Sequence, residues 1–178
     1  GGATVTEDTP PAPMTDRARR RLAAEKALRA WCEPRKVDWV ILRVPGIYGP
    51  GRLPLEHLQR GEPVLAESEC GPGNRIHVED LADICVTALL QPQACNRIYN
   101  VGDGDHMTST AFLCLVARLA GLPPPPRLPL GQLQALKSDV TPSFPGESRR
   151  VDTSRLRQEL GFKPRYPTAE AGIRASLP

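Results

Sequence analysis

Aromatic side chains are scarce in this sequence: two Trp, three Tyr and three Phe make up 4% of 178 residues. So few rings leave little material for the stacking platforms that hold single-stranded nucleic acid. An excess of one charge is missing too, since 23 Lys and Arg oppose 20 Asp and Glu for a net charge of +3. A nucleic-acid binder concentrates its basic residues. Here the only dense cluster is the four arginines at 17, 19, 20 and 21, and no nucleic-acid partner is expected. No apolar run has the length needed to cross a bilayer, so no membrane partner is expected. The opening "GGATVTEDTP" has neither the basic segment nor the apolar core of a signal peptide. The five cysteines, at 32, 70, 85, 95 and 114, contain no C-x-x-C pair, and the three histidines at 57, 77 and 106 are scattered. A zinc site has no local support and no metal is expected; unpaired thiols suit the cytoplasm. Gly102 and Gly104 in "VGDGD" lack the third glycine and the following helix of a nucleotide loop, so they read as a turn.

Proline is abundant: of twenty residues, ten cluster at 10, 11 and 13, at 123–126 and 129, and at 142 and 145. "GLPPPPRLP" reads as an extended connector after a helix, or as a ligand for a proline-recognition domain. The length suffices for one domain with a sizeable core.

Thr15 or Asp16 is placed to cap a helix that Pro34 stops, with Leu22, Leu28, Trp31, Ala24 and Ala27 on its buried side. "VDWVILRV", residues 37–44, has the nearly unbroken apolar character of a buried parallel strand. "PGIYGPGR" then reads as a loop at the ligand edge of an α/β sheet. Further along, a short helix at 53–60, a short strand at 75–77 and a helix over 79–90 are expected. The last has Leu81, Ile84, Cys85, Ala88 and Leu89 at helical spacing. "RIYNVGD" predicts a strand and turn, "MTSTAFLCLVARLAG" a helix capped by Thr108 or Ser109, and "GQLQAL" one or two helical turns. A helix from Asp152 or Thr153 to Leu160 and a short one in "PTAEAGIRASL" complete the chain.

Six stretches in this order, "VTEDTPPAP", "RLAAEKALRA", "ILRVPGIYGPGR", "RIHVEDLADICVTAL", "IYNVGD" and "DTSRLRQELGFKPRYP", together resemble an extended or atypical short-chain dehydrogenase/reductase of the NAD-dependent epimerase/dehydratase type. The match looks like its C-terminal half to two thirds. The resemblance therefore implies an α/β fold: the C-terminal part of a Rossmann-type doubly wound parallel sheet plus a small mixed substrate-binding region. It also implies one C-terminal segment over 1–178, without the N-terminal glycine-rich nucleotide-binding part.

The family's acid-base pair is a tyrosine and a lysine one helical turn apart. Leu22, Ala24 and Glu25 set the register, and Arg17 and Arg21 fall on those two positions. A guanidinium stays protonated above pH 12 and has no acceptor, so it cannot titrate in a carbonyl reduction near neutral pH. It binds anions well. The resemblance thus points to a Tyr-less subgroup, with Arg17 on a carboxylate or phosphate and Arg21 on cofactor ribose or phosphate. Pro45, Gly46 and Ile47 match the loop beside the nicotinamide, and Tyr48 lies in the same stretch as a replacement acid or a scaffold residue. Arg75 matches an arginine that meets substrate phosphate, or one that packs. His77 is an acid-base candidate or a packed histidine. Asp80 reads as a helix-start carboxylate, paired with an arginine. Of Arg149 and Arg150, at most one is expected to face a ligand, and Arg149 is the candidate. His57 and His106 are assigned to the surface.

The expected function is an NAD(P)-associated oxidoreductase or epimerase-like protein with NAD or NADP and an anionic small-molecule ligand. The alternative is a non-catalytic dinucleotide-binding or regulatory protein of the same fold. A homodimer through the outward face of residues 18–32 is possible by the same resemblance, since Ala23, Ala27 and Ala30 permit close approach while Arg19, Arg20 and Lys26 favour water.

Overall fold

Every strand pair in the computed structural model, which describes residues 2–136 and 148–178, is parallel. Strand β1 (Thr4–Val5) pairs with β8 (Arg150–Val151), β2 (Val40–Arg43) with β6 (Arg97–Asn100), β3 (Gly46–Tyr48) with β5 (Arg75–His77), and β4 (Val64–Leu65) with β7 (Arg127–Leu128). The helices between them are α1 (Asp16–Cys32), α2 (Leu55–Gln59), α3 (Val78–Leu90), α4 (Ser109–Leu119), α5 (Leu130–Leu136), α6 (Ser154–Leu160) and α7 (Ala169–Ser176). Pro142, Pro145 and the first two residues of "GESRRV" lie outside the described residues.

This architecture corrects the expected fold class. Parallel pairing runs from Thr4 to Val151, over nearly the whole chain, instead of a C-terminal portion followed by a small mixed region. The reason is physical. The strands β1, β4, β7 and β8 are two residues long, too short to carry any periodicity. The expected loop at 45–52 likewise contains β3, whose three residues pair with β5 despite the flanking glycines and prolines.

Two apolar clusters hold the elements. One joins Ile84 and Ala88 of α3 to Ile76, Tyr99, Leu156 and Leu160. The other packs Tyr48 and Leu58 against Phe112 and Val116 of α4 and Ile173 of α7. Side-chain caps start the helices: Thr15 accepts from the Ala18 N–H, Thr108 from Ala111 and Thr168 from Ala171. Gly161 closes α6 in the left-handed region, at φ 64°, which only glycine adopts without strain.

The expected buried faces need two corrections. Within α1 only Cys32 is buried; Leu28 is 42% and Trp31 54% exposed. Leu28 borders a cavity instead of a packed partner, and Trp31 stacks under the Arg35 guanidinium, 4.8 Å from the ring centre. In α3, Ile84 and Ala88 are buried as spaced, but Cys85 is exposed and Leu89 is 82% exposed. The buried stripe of this helix is narrower than its apolar sequence. No described helix is long and apolar enough to cross a membrane.

Candidate functional site

Helix α1 and strand β2 stand on two sides of a cavity of about 980 Å³, at the upper end for a small-molecule site. Its roof is the proline-stiffened stretch from Thr9 to Met14, and its walls include Arg21, Pro45, Gly46, Asn74, Asn100 and Arg149. The spacing between helix and strand is fixed by a two-pronged ion pair. Arg43 at the end of β2 donates to both carboxylate oxygens of Glu25 on α1, at 2.6 and 3.1 Å. Both side chains are largely buried. Arg43 also donates to the Glu7 carbonyl at 3.3 Å. The Glu7 carboxylate accepts the Asn100 N–H at 2.8 Å and lies 3.7 Å from Arg155. One buried carboxylate therefore ties the roof segment to the end of β6.

Of the expected site residues, the structure brings Arg21, Pro45, Gly46 and Arg149 to one cavity. Arg17 lies one turn earlier on α1, exposed, and Ile47 packs against the first apolar cluster. Neither the Arg17 nor the Arg21 guanidinium makes a hydrogen bond or ion pair among the described residues. Arg149 accepts the Asn74 side-chain N–H on its carbonyl at 2.8 Å, while Arg150 turns to the Gly2 carbonyl.

Tyr48, Arg75 and His77 form a separate cluster beneath α4 and α7. None of them lines the cavity. The Arg75 guanidinium donates to the carbonyls of Met107 and Thr108, at 2.6 and 3.1 Å, and lies over the Phe112 ring. Burial lowers its pKa, against the raising influence of Asp103 and Asp105. The Tyr48 hydroxyl is buried without a partner, and burial first, then Asp103, raises its pKa well above that of a free phenol. His77 is fully buried and caps α3: its Nδ1 accepts the Glu79 N–H at 3.2 Å. Ser176 gives its own proton to the Gly172 carbonyl at 2.6 Å. His77 Nε2 must therefore donate to Ser176, at 3.1 Å, which requires the neutral ring. Burial lowers its pKa, keeping it so.

Asp80 is buried as a helix-start carboxylate, yet its partners are the backbone N–H groups of Arg165 and Tyr166, at 2.7 and 3.2 Å. The Arg165 guanidinium goes to Glu79 and Asp83 instead. His57 and His106 are half-buried, each with a partner, Glu62 and Asn74 respectively; both had been expected at the surface.

Sequence reasoning missed Glu7, Asn100 and Asp103. Glu7 and Asn100 lie inside quoted stretches, "VTEDTPPAP" and "IYNVGD", but nothing local marks them as buried. Asp103, in the turn after β6, accepts the Asp105 N–H at 2.8 Å. Burial pushes its carboxyl up to about 6. Among the described residues no group of three His, Cys, Asp or Glu could hold a metal ion.

Parallel strand pairs with helices between them, and a cavity beside β2 and the end of β6, define the class: an α/β protein with a cavity of small-molecule size. The sequence profile of the NAD dependent epimerase/dehydratase family matches residues 2–102, and the chain belongs to that family. The match starts at the second residue and so, with the pairing from Thr4 to Val151, replaces the expectation of a C-terminal part alone. Protein YeeZ of Escherichia coli (strain K12) is 33% identical over 167 residues, 92% of this chain and 53% of its own length. A conserved protein of unknown function from Silicibacter pomeroyi DSS superposes with a TM-score of 0.84 at 34% identity, over 98% of this chain and 60% of that one. The UDP-glucuronic acid 4-epimerase of Bacillus cereus, in complex with UDP-glucuronic acid and NAD, gives a TM-score of 0.78 at 17% identity, over 99% and 55%. At that identity the likeness is one of fold. The chain spans about half the length of the curated relatives it matches.

Proposed function

We propose that the protein is an NAD(P)-associated oxidoreductase or epimerase-like member of its family, of a Tyr-less subgroup. It would bind NAD or NADP and an anionic small molecule at the cavity between α1 and β2. The observation that carries this reading is Arg21, a guanidinium without a carboxylate partner among the described residues, lining the same cavity as the Pro45–Gly46 backbone. Volume and donors fit a dinucleotide: the cavity holds about 980 Å³, and the buried Asn100 amide there lacks an acceptor. Arg21 and the backbone at Pro45 and Gly46 would hold the cofactor, and Arg17 the acidic group of the second ligand. The bound cofactor supplies hydride exchange. The NAD named in the Bacillus cereus complex supports the cofactor.

The second reading, a non-catalytic binding or regulatory protein, has its own support. Among the described residues that line the cavity there is no Tyr, Lys, His or Cys, and the one carboxylate, Glu25, is held by Arg43. A proton relay near neutral pH would need Tyr48 or His77, which lie in the other cluster. A homodimer through α1 and a cytoplasmic location complete the proposal; five free thiols support a reducing compartment.

Calorimetric titration with NAD(H) and NADP(H), and then with small carboxylic acids, tests it. Arg21→Ala is expected to weaken the dinucleotide and Arg17→Ala the acid, each by roughly 1.5–3 kcal/mol for a charged hydrogen bond, about ten- to a hundredfold. Equal binding by all three proteins would return both arginines to the solvated surface. Robust carbonyl reduction would show that another residue had taken the acid's role.

A further inference from the structure

Four buried side-chain polar atoms find no partner among the described residues: Trp39 Nε1, Tyr48 Oη, His57 Nε2 and Asn100 Nδ2. Only one of the four residues lines the cavity, and that is Asn100. We propose that Asn100 is a specificity-determining hydrogen-bond donor of this cavity. It would read an sp² oxygen of the bound ligand, a carboxamide or carboxylate oxygen. The proposal rests on the reading of the cavity as a dinucleotide and anion site.

Asn100 is 5% exposed. An amide N–H₂ buried without an acceptor is costly, and such groups in native proteins call for an explanation. Among the described residues no acceptor is within hydrogen-bond reach of the Asn100 amide. The Glu7 carboxylate accepts the Asn100 backbone N–H, and the Glu25 carboxylate is taken by Arg43, its register partner's side chain. Glu7 thus holds the backbone of Asn100 still while leaving its amide unused. In parallel strands, register partners and residues two apart share a sheet face. Asn100 therefore stands on the face of Arg43, the side from which Arg43 reaches α1. An oxygen acceptor fits a neutral donor in the same cavity as the Arg21 charge: the arginine would attract an anionic ligand, and the amide would select its orientation.

Calorimetry on the unaltered protein gives two comparisons. NADH is titrated against its thionicotinamide analogue, in which sulfur replaces the carboxamide oxygen. With NADH saturating, 2-oxoglutarate is titrated against its dimethyl ester. At least a fivefold weaker analogue is expected in the pair whose oxygen is read, which tells a cofactor carboxamide from a ligand carboxylate. Asn100→Asp keeps shape and backbone N–H but replaces the donor with an acceptor, and is expected to lower affinity for that same probe at least tenfold. Asn100→Ala is expected to lower it less. No difference within either pair, or variant affinities within twofold of wild type, overturns the proposal. So does a lowered urea midpoint with unchanged affinity, which makes Asn100 a packing residue only. If the unaltered protein binds neither NADH nor NADPH, the reading of the cavity fails first and this one falls with it.

Discussion

Replacing Asp103 with Asn should stabilise the protein above pH 6 and change it little near pH 4. The carboxyl is 4% exposed. Burial raises its pKa from 3.8 to about 6, and the neighbouring Asp105 charge adds to the rise, with Arg75 opposing. At ~1.36 kcal/mol per pKa unit, that rise corresponds to about 3 kcal/mol of differential stability. The sign follows from proton binding. Between 3.8 and about 6 the folded chain holds the proton more tightly than the unfolded one. Stability is therefore highest below that window and falls as pH rises through it. Asn keeps an oxygen for the Asp105 N–H but accepts a weaker hydrogen bond than a carboxylate, at a cost of about 1 kcal/mol. The net gain expected at pH 7.5 is about 2 kcal/mol, roughly 1 M in urea midpoint for a protein of this size. Urea unfolding of both proteins at pH 4 and 7.5 measures it. A variant no more stable than wild type at pH 7.5, or a gap of the same size at both pH values, would refute the reasoning.

Three further outcomes follow from the packing. Glu25→Ala strands the Arg43 guanidinium, most of which is buried, and should cost about 3 kcal/mol, the low end for breaking such a pair; a urea-midpoint change equivalent to under ~1 kcal/mol speaks against it. Gly172→Ala would press a methyl group against the Tyr48 hydroxyl, costing ~1–3 kcal/mol by overpacking. That hydroxyl has no partner, but two Tyr48 ring carbons also lie 2.8 and 2.9 Å from the added methyl, so Tyr48→Phe in the same chain should recover only part of the loss; a double variant no more stable than Gly172→Ala in thermal unfolding contradicts the geometry. His77 is neutral in the fold and its pKa is lowered from 6.5. Its contribution is complete above 6.5 and is lost as pH falls from there toward the folded value, so His77→Asn should remove that slope. An unchanged slope in urea titrations from pH 7.5 to 5 rules the histidine out as its source.

The sequence made the helices legible where two signals agreed. Thr108 as a cap and Gly121 at the end of "MTSTAFLCLVARLAG" mark the two ends of one element, and the structure has it. A stripe without a partner misled. Leu28 and Trp31 sit at the helical spacing of a buried face, but the side of α1 they occupy borders a cavity and solvent. Spacing reports that a face is apolar, not what covers it. The two-residue strands were illegible for a related reason. Their pairing depends on partners far along the chain, as when Thr4 meets Arg150, and no local pattern encodes such a contact.

The candidate site divides along the same line. The resemblance placed Arg21, through the register of Leu22, Ala24 and Glu25, and the turn at Pro45 and Gly46 in one expected site, and all three line the cavity. Glu7 and Asn100 were not legible, because each becomes significant only through the other. A glutamate near the start of a chain is ordinarily solvated, and an asparagine at a strand end ordinarily belongs to a turn. Once β6 lies beside β2, the Asn100 N–H takes up the Glu7 carboxylate, and Arg43 takes up both the Glu7 carbonyl and Glu25. Three segments far apart in sequence then share one charge network, and Asn100, whose side-chain amide takes no part in it, is one of the residues that line the cavity. The acidic group that balances this helix against the strand is Glu25, and it is already taken by Arg43. That leaves Arg21 the cavity's unpaired cation among the side chains whose partners are described, which is why an anion is the ligand to test first.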